Sequence, residues 1–181
     1  VIERVGDERL RVYLYHIPPV AQVPITLGLV ERLLKAYPEQ TAGLKDSSGD
    51  WTNTQSFLEA FADAEFDVFA GAETFLLQNM RHGGRGCISA TANVHPGPIA
   101  RLHATWQDPD ADAQQERLNE IRDVFQKFPM IPALKAAVAH YGSDAEWATV
   151  RPPLVVLTQE QRVELIGELE RRNFTMPELA T

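Results

Sequence analysis

The sequence predicts an α/β protein built on a parallel sheet, from three observations: four short apolar runs, helical patterns between them, and helical patterns alone after about residue 108. The runs are RVYLYHI at 11–17, TAGLK at 41–45, FDVFAGA at 66–72 and GCISATA at 86–92. Each is apolar at consecutive rather than alternating positions, the pattern of strands covered on both faces.

The helical patterns follow in order. After the first run, Leu27, Val30, Leu33, Leu34 and Tyr37 recur at the spacing of one helix face, and after the second Phe57, Leu58 and Phe61 do the same. TFLLQNMRHGG ends on a glycine stop with Arg81 and His82 in its last turn, where cations complement the helix dipole. HPGPIARLHATW opens with prolines in its first turn. Beyond it, DADAQQERLNEIRDVFQKF carries Leu118, Ile121, Phe125 and Phe128 on one face, and IPALKAAVAHYG runs from Pro132 to a stop at Gly142. TQEQRVELIGELERRNF begins with a capping box, Thr158 with Gln161. Four β/α units close an open doubly wound sheet or form half of an eight-unit barrel. YHIPPVAQVPIT, after the first strand, is proline-rich where a nucleotide fold places a glycine-rich phosphate loop, which leaves the barrel standing.

Composition narrows the function. The chain has 181 residues, 44% hydrophobic and 23% charged, the balance of a soluble globular protein. Its 17 basic and 25 acidic residues give a net charge of −8, and without a basic run nucleic acid is not expected as a partner. No apolar run approaches the roughly 20 residues of a membrane span. The single Cys87 excludes an internal disulfide framework and suits a cytoplasmic location. His16, His82, His95, His103 and His140 lack ligand spacing with carboxylates or Cys87, so no metal site is expected.

In parallel α/β architectures the active groups gather at the C-terminal ends of the strands. Tyr15, Lys45, Gly71 with Glu73, and Ser89 with Asn93 all fall there. Lysine is rarely buried unpaired, and desolvation favours the neutral amine that attacks a carbonyl, the chemistry of a Schiff base. The ordinary alternative is that Lys45 pairs with Asp46 or caps the strand end. Tyr15 reads either as a core tyrosine beside Tyr13 or as a proton shuttle opposite an imine-forming lysine. Glu73 and Asp46 read as solvated acids unless the fold gathers them. HGGRG at 82–86 is first a helix stop and turn.

Taken together, YLYHIPP, GLKDSSGD, FAGAETFLLQNMRHGGRGCISATANVHP, IPALKAAVAHYG and VRPPLVVLT resemble the dihydrodipicolinate synthase/N-acetylneuraminate lyase family over nearly the whole chain. The resemblance implies a (β/α)8 TIM barrel, usually assembled as a tetramer of two tight dimers. This chain would hold its last four β/α units: residues 1–107 with strands five to eight and their helices, and residues 108–181 as a C-terminal helical extension. It implies a class I aldolase without a separate cofactor, in which a lysine forms a covalent imine with pyruvate or another 2-keto acid. The imine-forming lysine falls on Lys45 and the proton-relay tyrosine on Tyr15; Ser47, Gly71 and Glu73 fall on substrate-binding positions, and Ile88 and Ser89 on the strand that contacts the pyruvate moiety.

Two departures shape the expectation. The synthases carry an arginine five residues after the tyrosine to hold the aldehyde partner's carboxylate; here that position is Val20, which cannot make a bidentate contact. That favours reversible cleavage of a 2-keto-3-deoxy sugar acid over 4-hydroxy-tetrahydrodipicolinate synthesis. The family's first four units, with the Thr-Thr pair that binds the pyruvate carboxylate, have no counterpart, so the chain is expected to be the second half of a longer protein and to need the first half to fold. Two other readings are a non-catalytic ligand-binding relative and a half-barrel interaction module; Lys45 and Tyr15 together favour the lyase.

Overall fold

The computed structural model describes residues 1–177, which divide into two compact units, Val1–Ile88 and a second that begins at Ser89.

The first unit is a β/α alternation. A one-turn helix α1 (Ile2–Val5) precedes β1 (Val12–His16), the short α2 (Pro18–Ala21) and α3 (Leu27–Ala36); β2 (Thr41–Asp46), α4 (Trp51–Ala60), β3 (Asp67–Ala70), α5 (Leu76–Arg81) and β4 (Gly86–Cys87) follow. The helices start where side chains replace missing intrahelical partners. Thr26 Oγ1 accepts from the Leu29 N–H ahead of α3, and the Asp50 carboxylate accepts from the Thr52 N–H ahead of α4.

All four strands are parallel and lie in the order β1-β2-β3-β4, with Tyr15 opposite Lys45 and Lys45 opposite Phe69. A doubly wound sheet reverses its strand order at a switch point; this sheet does not, as expected of a barrel wall. Strand alternation sends Leu14, Leu44 and Val68 to one face, where they pack with Val30 of α3 and Phe57 and Leu58 of α4. Tyr13, Tyr15 and Ile88 stand on the other face and are 46%, 49% and 46% exposed. The consecutive apolar pattern predicts strands buried on both faces; in the first unit the helices cover only one.

The fourth strand is also shorter than its apolar run. Pairing with β3 ends at Cys87, and Ala90–Asn93 turn into a short 3₁₀ helix. Buried Asn79 of α5 fastens this end of the sheet, its Nδ2 donating to the Val68 carbonyl at 3.0 Å and the Gly86 carbonyl at 2.8 Å.

The second unit holds α6 (Pro96–Ala104), α7 (Ala111–Gln126), α8 (Met130–Tyr141) and α9 (Gln159–Arg171). Leu118, Ile121, Phe125 and Phe128, the stripe read from the sequence, are all buried, and the last three join Leu165 and Leu169 of α9 in one apolar cluster. The capping box is formed: Thr158 Oγ1 accepts from the Gln161 N–H, and the Gln161 side chain accepts from the Thr158 N–H. Helix α8 opens at Met130, two residues ahead of Pro132, because proline is tolerated within a first turn.

Candidate active site

The site grows from the alternation of β2. Consecutive residues point to opposite faces, so Lys45 rises on the open face while Leu44 and Asp46 go into the helix-covered side, 0% and 3% exposed. Parallel register then fixes Lys45's neighbour. Tyr15 of β1 is its direct partner, and Lys45 Nζ donates to Tyr15 Oη at 3.1 Å while lying 4.2 Å from the ring centroid.

Asp46 is not the partner of this lysine. Its Oδ1 accepts from the Ser48 N–H at 2.8 Å, and its Oδ2 accepts from Asn53 Nδ2 at 2.9 Å and Thr54 Oγ1 at 2.7 Å. The adjacent-residue ion pair is therefore set aside in favour of a buried carboxylate that ties the end of β2 to the first turn of α4. Glu73 too is buried, 2% exposed, at the start of a short 3₁₀ turn after β3. Neither acid is solvated; the turn at Ser48 and the first turn of α4 close over Asp46.

Burial opposes ionisation of the Tyr15 phenol, but hydrogen bonds from Lys45 and Ser47 and the positive charge of Lys45 outweigh it and hold the phenol below the ordinary tyrosine range. Ser47 is set by backbone contacts: its N–H donates to the His16 carbonyl at 2.7 Å, and the Gly71 N–H donates to the Asp46 carbonyl at 2.6 Å. Gly71 is required there. A Cβ at that position would lie 2.6 Å from the Asp46 carbonyl oxygen and 2.7 Å from Ser47 Cα. Tyr15, Lys45, Ser47 and Gly71 thus form one cluster across the ends of β1, β2 and β3. Ile88 extends the same edge, its N–H donating to the Ala70 carbonyl at 2.9 Å. Ser89 opens the second unit, buried, with Oγ 3.1 Å from Thr91 Oγ1 and receiving Arg122 Nη1 at 3.3 Å.

A second layer was not legible from the motifs. Tyr13, two residues before Tyr15, lies over Gly43, where a Cβ would meet its ring at 2.6 Å. It reaches past β2 to donate to Asp67 Oδ2 at 2.7 Å, while Arg85 Nε donates to Asp67 Oδ1 at 2.7 Å. The signal was Gly43 itself, an absent side chain beside a large aromatic. His16 is buried on the opposite face, and its Nδ1 accepts from the Ile25 N–H at 3.0 Å, fastening the proline-rich segment that carries Val20.

Among the described residues no group of three or more His, Cys, Asp or Glu side chains is arranged to hold a metal ion, and no helix is long and apolar enough to cross a membrane.

The Dihydrodipicolinate synthetase family matches residues 3–171. An uncharacterized DapA-like lyase of Chloroflexus aurantiacus is 36% identical over 163 residues, covering 89% of this chain and 53% of that protein. Dihydrodipicolinate synthase from Agrobacterium tumefaciens superposes with a TM-score of 0.81 at 30% identity, over 94% of this chain and 56% of that one. A prophage protein of the dihydrodipicolinic acid synthase family from E. coli K12, solved in complex with pyruvate, gives a TM-score of 0.81 at 25% identity, over 91% and 57% of the two chains. The chain spans about half the length of the relatives it matches.

Proposed function

The chain belongs to the dihydrodipicolinate synthetase family, and from that premise we propose that Lys45 condenses with the ketone of pyruvate, or of a 2-keto acid that yields it, in a class I carbon–carbon lyase. The observation that carries this reading is the 3.1 Å hydrogen bond between Lys45 Nζ and Tyr15 Oη.

The neutral amine of Lys45 adds to the ketone carbon to give a carbinolamine. The Tyr15 phenol gives a proton to the departing hydroxyl, water leaves, and the imine forms. The cationic imine then accepts the electron pair released when the bond between C3 and C4 breaks, as a base takes the proton of the C4 hydroxyl and an aldehyde departs. Protonation of the resulting enamine at C3 and hydrolysis return pyruvate and free Lys45. A phenol with a lowered pKa suits this traffic, because it gives and recovers a proton with less penalty. Ser47 orients Tyr15. Gly71, Glu73, Ile88 and Ser89 are assigned to substrate binding by their motif positions, with Glu73 acting from a buried site.

The substrate we favour is a 2-keto-3-deoxy sugar acid cleaved reversibly. Val20 stands on α2, 75% exposed, and offers no charge to a carboxylate on the aldehyde partner, which disfavours 4-hydroxy-tetrahydrodipicolinate synthesis. We assign the four strands to the second half of an eight-stranded barrel, with residues 1–107 as barrel wall and 108–181, whose last four lie outside the described residues, as helical extension, within a cytoplasmic homo-oligomer. Unreversed strand order and helices on one sheet face support the barrel assignment.

Borohydride reduction in the presence of pyruvate, followed by peptide mass mapping of the protein that carries this chain, tests the chemistry. The expected result is a reduced pyruvyl adduct on Lys45 and none on Lys35, Lys127 or Lys135; an unmodified Lys45 refutes the assignment.

A further inference from the structure

The second unit contains a cavity of about 460 Å3 that lies outside the proposed lyase machinery, within the size range of small-ligand sites. Its floor is apolar: Leu118 and Ile121 of α7 and Phe174, which follows α9, are all more than nine-tenths buried. Its wall is cationic. Arg101 of α6, Arg117 of α7 and Arg172 at the end of α9 reach it from three separate elements, against one lining carboxylate, Glu120. In a chain of net charge −8, three guanidiniums on one cavity run against composition.

The three arginines are not equivalent. Arg172 is fastened: its Nη1 donates to the Glu168 carbonyl oxygen at 3.0 Å and pairs with the Glu168 carboxylate. That carboxylate is shared with Lys127 at 3.3 Å and Arg171 at 3.1 Å, so the local field stays positive around it. Among the described residues, Arg101 and Arg117 have no side-chain ion pair or hydrogen bond. Both line the cavity with a guanidinium that no described side chain occupies, and a guanidinium matches a carboxylate or phosphate bidentately.

We propose that this cavity binds a small polyanion, a phosphate ester or polycarboxylate carrying at least two negative charges, gripped by Arg101 and Arg117 and seated over Leu118, Ile121 and Phe174. Arg172 supplies a fixed third charge. The apolar floor leaves room for a short carbon body between the charged ends, while Glu120 selects against ligands with a single charge. The site is independent of Lys45, so its test does not depend on the lyase reading.

The test is calorimetric titration of the protein that carries this chain at low ionic strength, with inorganic pyrophosphate in one arm and citrate in the other. Saturable binding of either at one site per chain is expected, the tighter arm showing which charged group the site takes. R101Q and R117Q are each expected to weaken it about tenfold by removing a charge-assisted contact. E120Q, which removes the opposing charge, is expected to tighten it. No saturable binding in either arm overturns the proposal, as does arginine-variant affinity equal to that of the unaltered chain, or complete displacement by potassium chloride at matched ionic strength. Both arginines are exposed, so their variants are expected to keep the parent melting temperature; a variant that unfolds instead would show that its arginine holds the fold, and would overturn the proposal for that residue.

Discussion

Replacing Gly71 with alanine tests how the lyase cluster is held together. The new methyl carbon would lie 2.6 Å from the Asp46 carbonyl oxygen and 2.7 Å from Ser47 Cα, where ordinary contact begins near 3.4 Å. Both obstacles are backbone, so no rotamer change relieves them; the β3 end must retreat from β2 by close to 0.8 Å, the difference between 3.4 and 2.6 Å. It would do so against the 2.6 Å hydrogen bond from the Gly71 N–H to that same carbonyl. Forced overpacking of this kind costs about 1–3 kcal/mol. Gly28→Ala is the control, because its Cβ meets nothing within 4 Å and it sits inside α3; it should gain about 0.5–1 kcal/mol from helix propensity and reduced unfolded-state freedom. Urea unfolding of both variants in the protein that carries this chain, read by far-ultraviolet circular dichroism, makes the comparison. Equal midpoints for Gly71→Ala and the parent chain would refute the close-approach argument.

Three further outcomes follow from the same geometry. Of the four tyrosines, Tyr15 alone has a lowered phenol pKa, whereas donation to Asp67, donation to Glu3 and burial raise Tyr13, Tyr37 and Tyr141 respectively. Ultraviolet titration should therefore show a first phenolate step that vanishes in Tyr15→Phe and moves to higher pH in Lys45→Met, where burial is left less opposed; persistence of that step in Tyr15→Phe contradicts the assignment. Tyr15→Phe should also slow turnover in the protein that carries this chain while leaving substrate affinity close to the parent value, measured as kcat against KM. The hydrogen bond from Arg172, opposed by burial and aided by Lys127 and Arg171, lowers Glu168 to about 2 from 4.5. Because the folded pKa is depressed, this contribution is complete above pH 4.5 and is lost as pH falls towards about 2. Glu168→Gln should flatten that part of the melting-temperature profile, and an unchanged profile would count against it.

What the sequence made legible was periodicity. The β/α alternation, the stripe of Leu118, Ile121, Phe125 and Phe128, and the Thr158–Gln161 capping box are local patterns with local causes. Lys45 and Tyr15 were legible because both stand at strand ends, and parallel register brings such positions together. Asp46 was misread because the two explanations for an acid beside a lysine differ only in direction. Alternation sends it to the face opposite Lys45, and its partners Asn53 and Thr54 lie seven and eight residues onward in α4. The contact between Tyr13 and Asp67 was not legible because Asp67 lies two strands away, a distance sequence spacing does not encode. The shortened fourth strand has a similar cause. Its apolar run continues, but pairing with β3 stops at Cys87 and the chain turns at Ser89.

The opposite orientation of Lys45 and Asp46 also limits how this site can change over generations. One codon inserted or deleted within β2 would exchange the two, turning an ammonium into the apolar layer beneath α4 and a carboxylate towards Tyr15. A neighbouring loop can gain or lose residues without that penalty. Length variation among descendants of this sequence should therefore gather in the segments between strands and stop at Thr41, while residues 41–46 keep their count even where their identities drift.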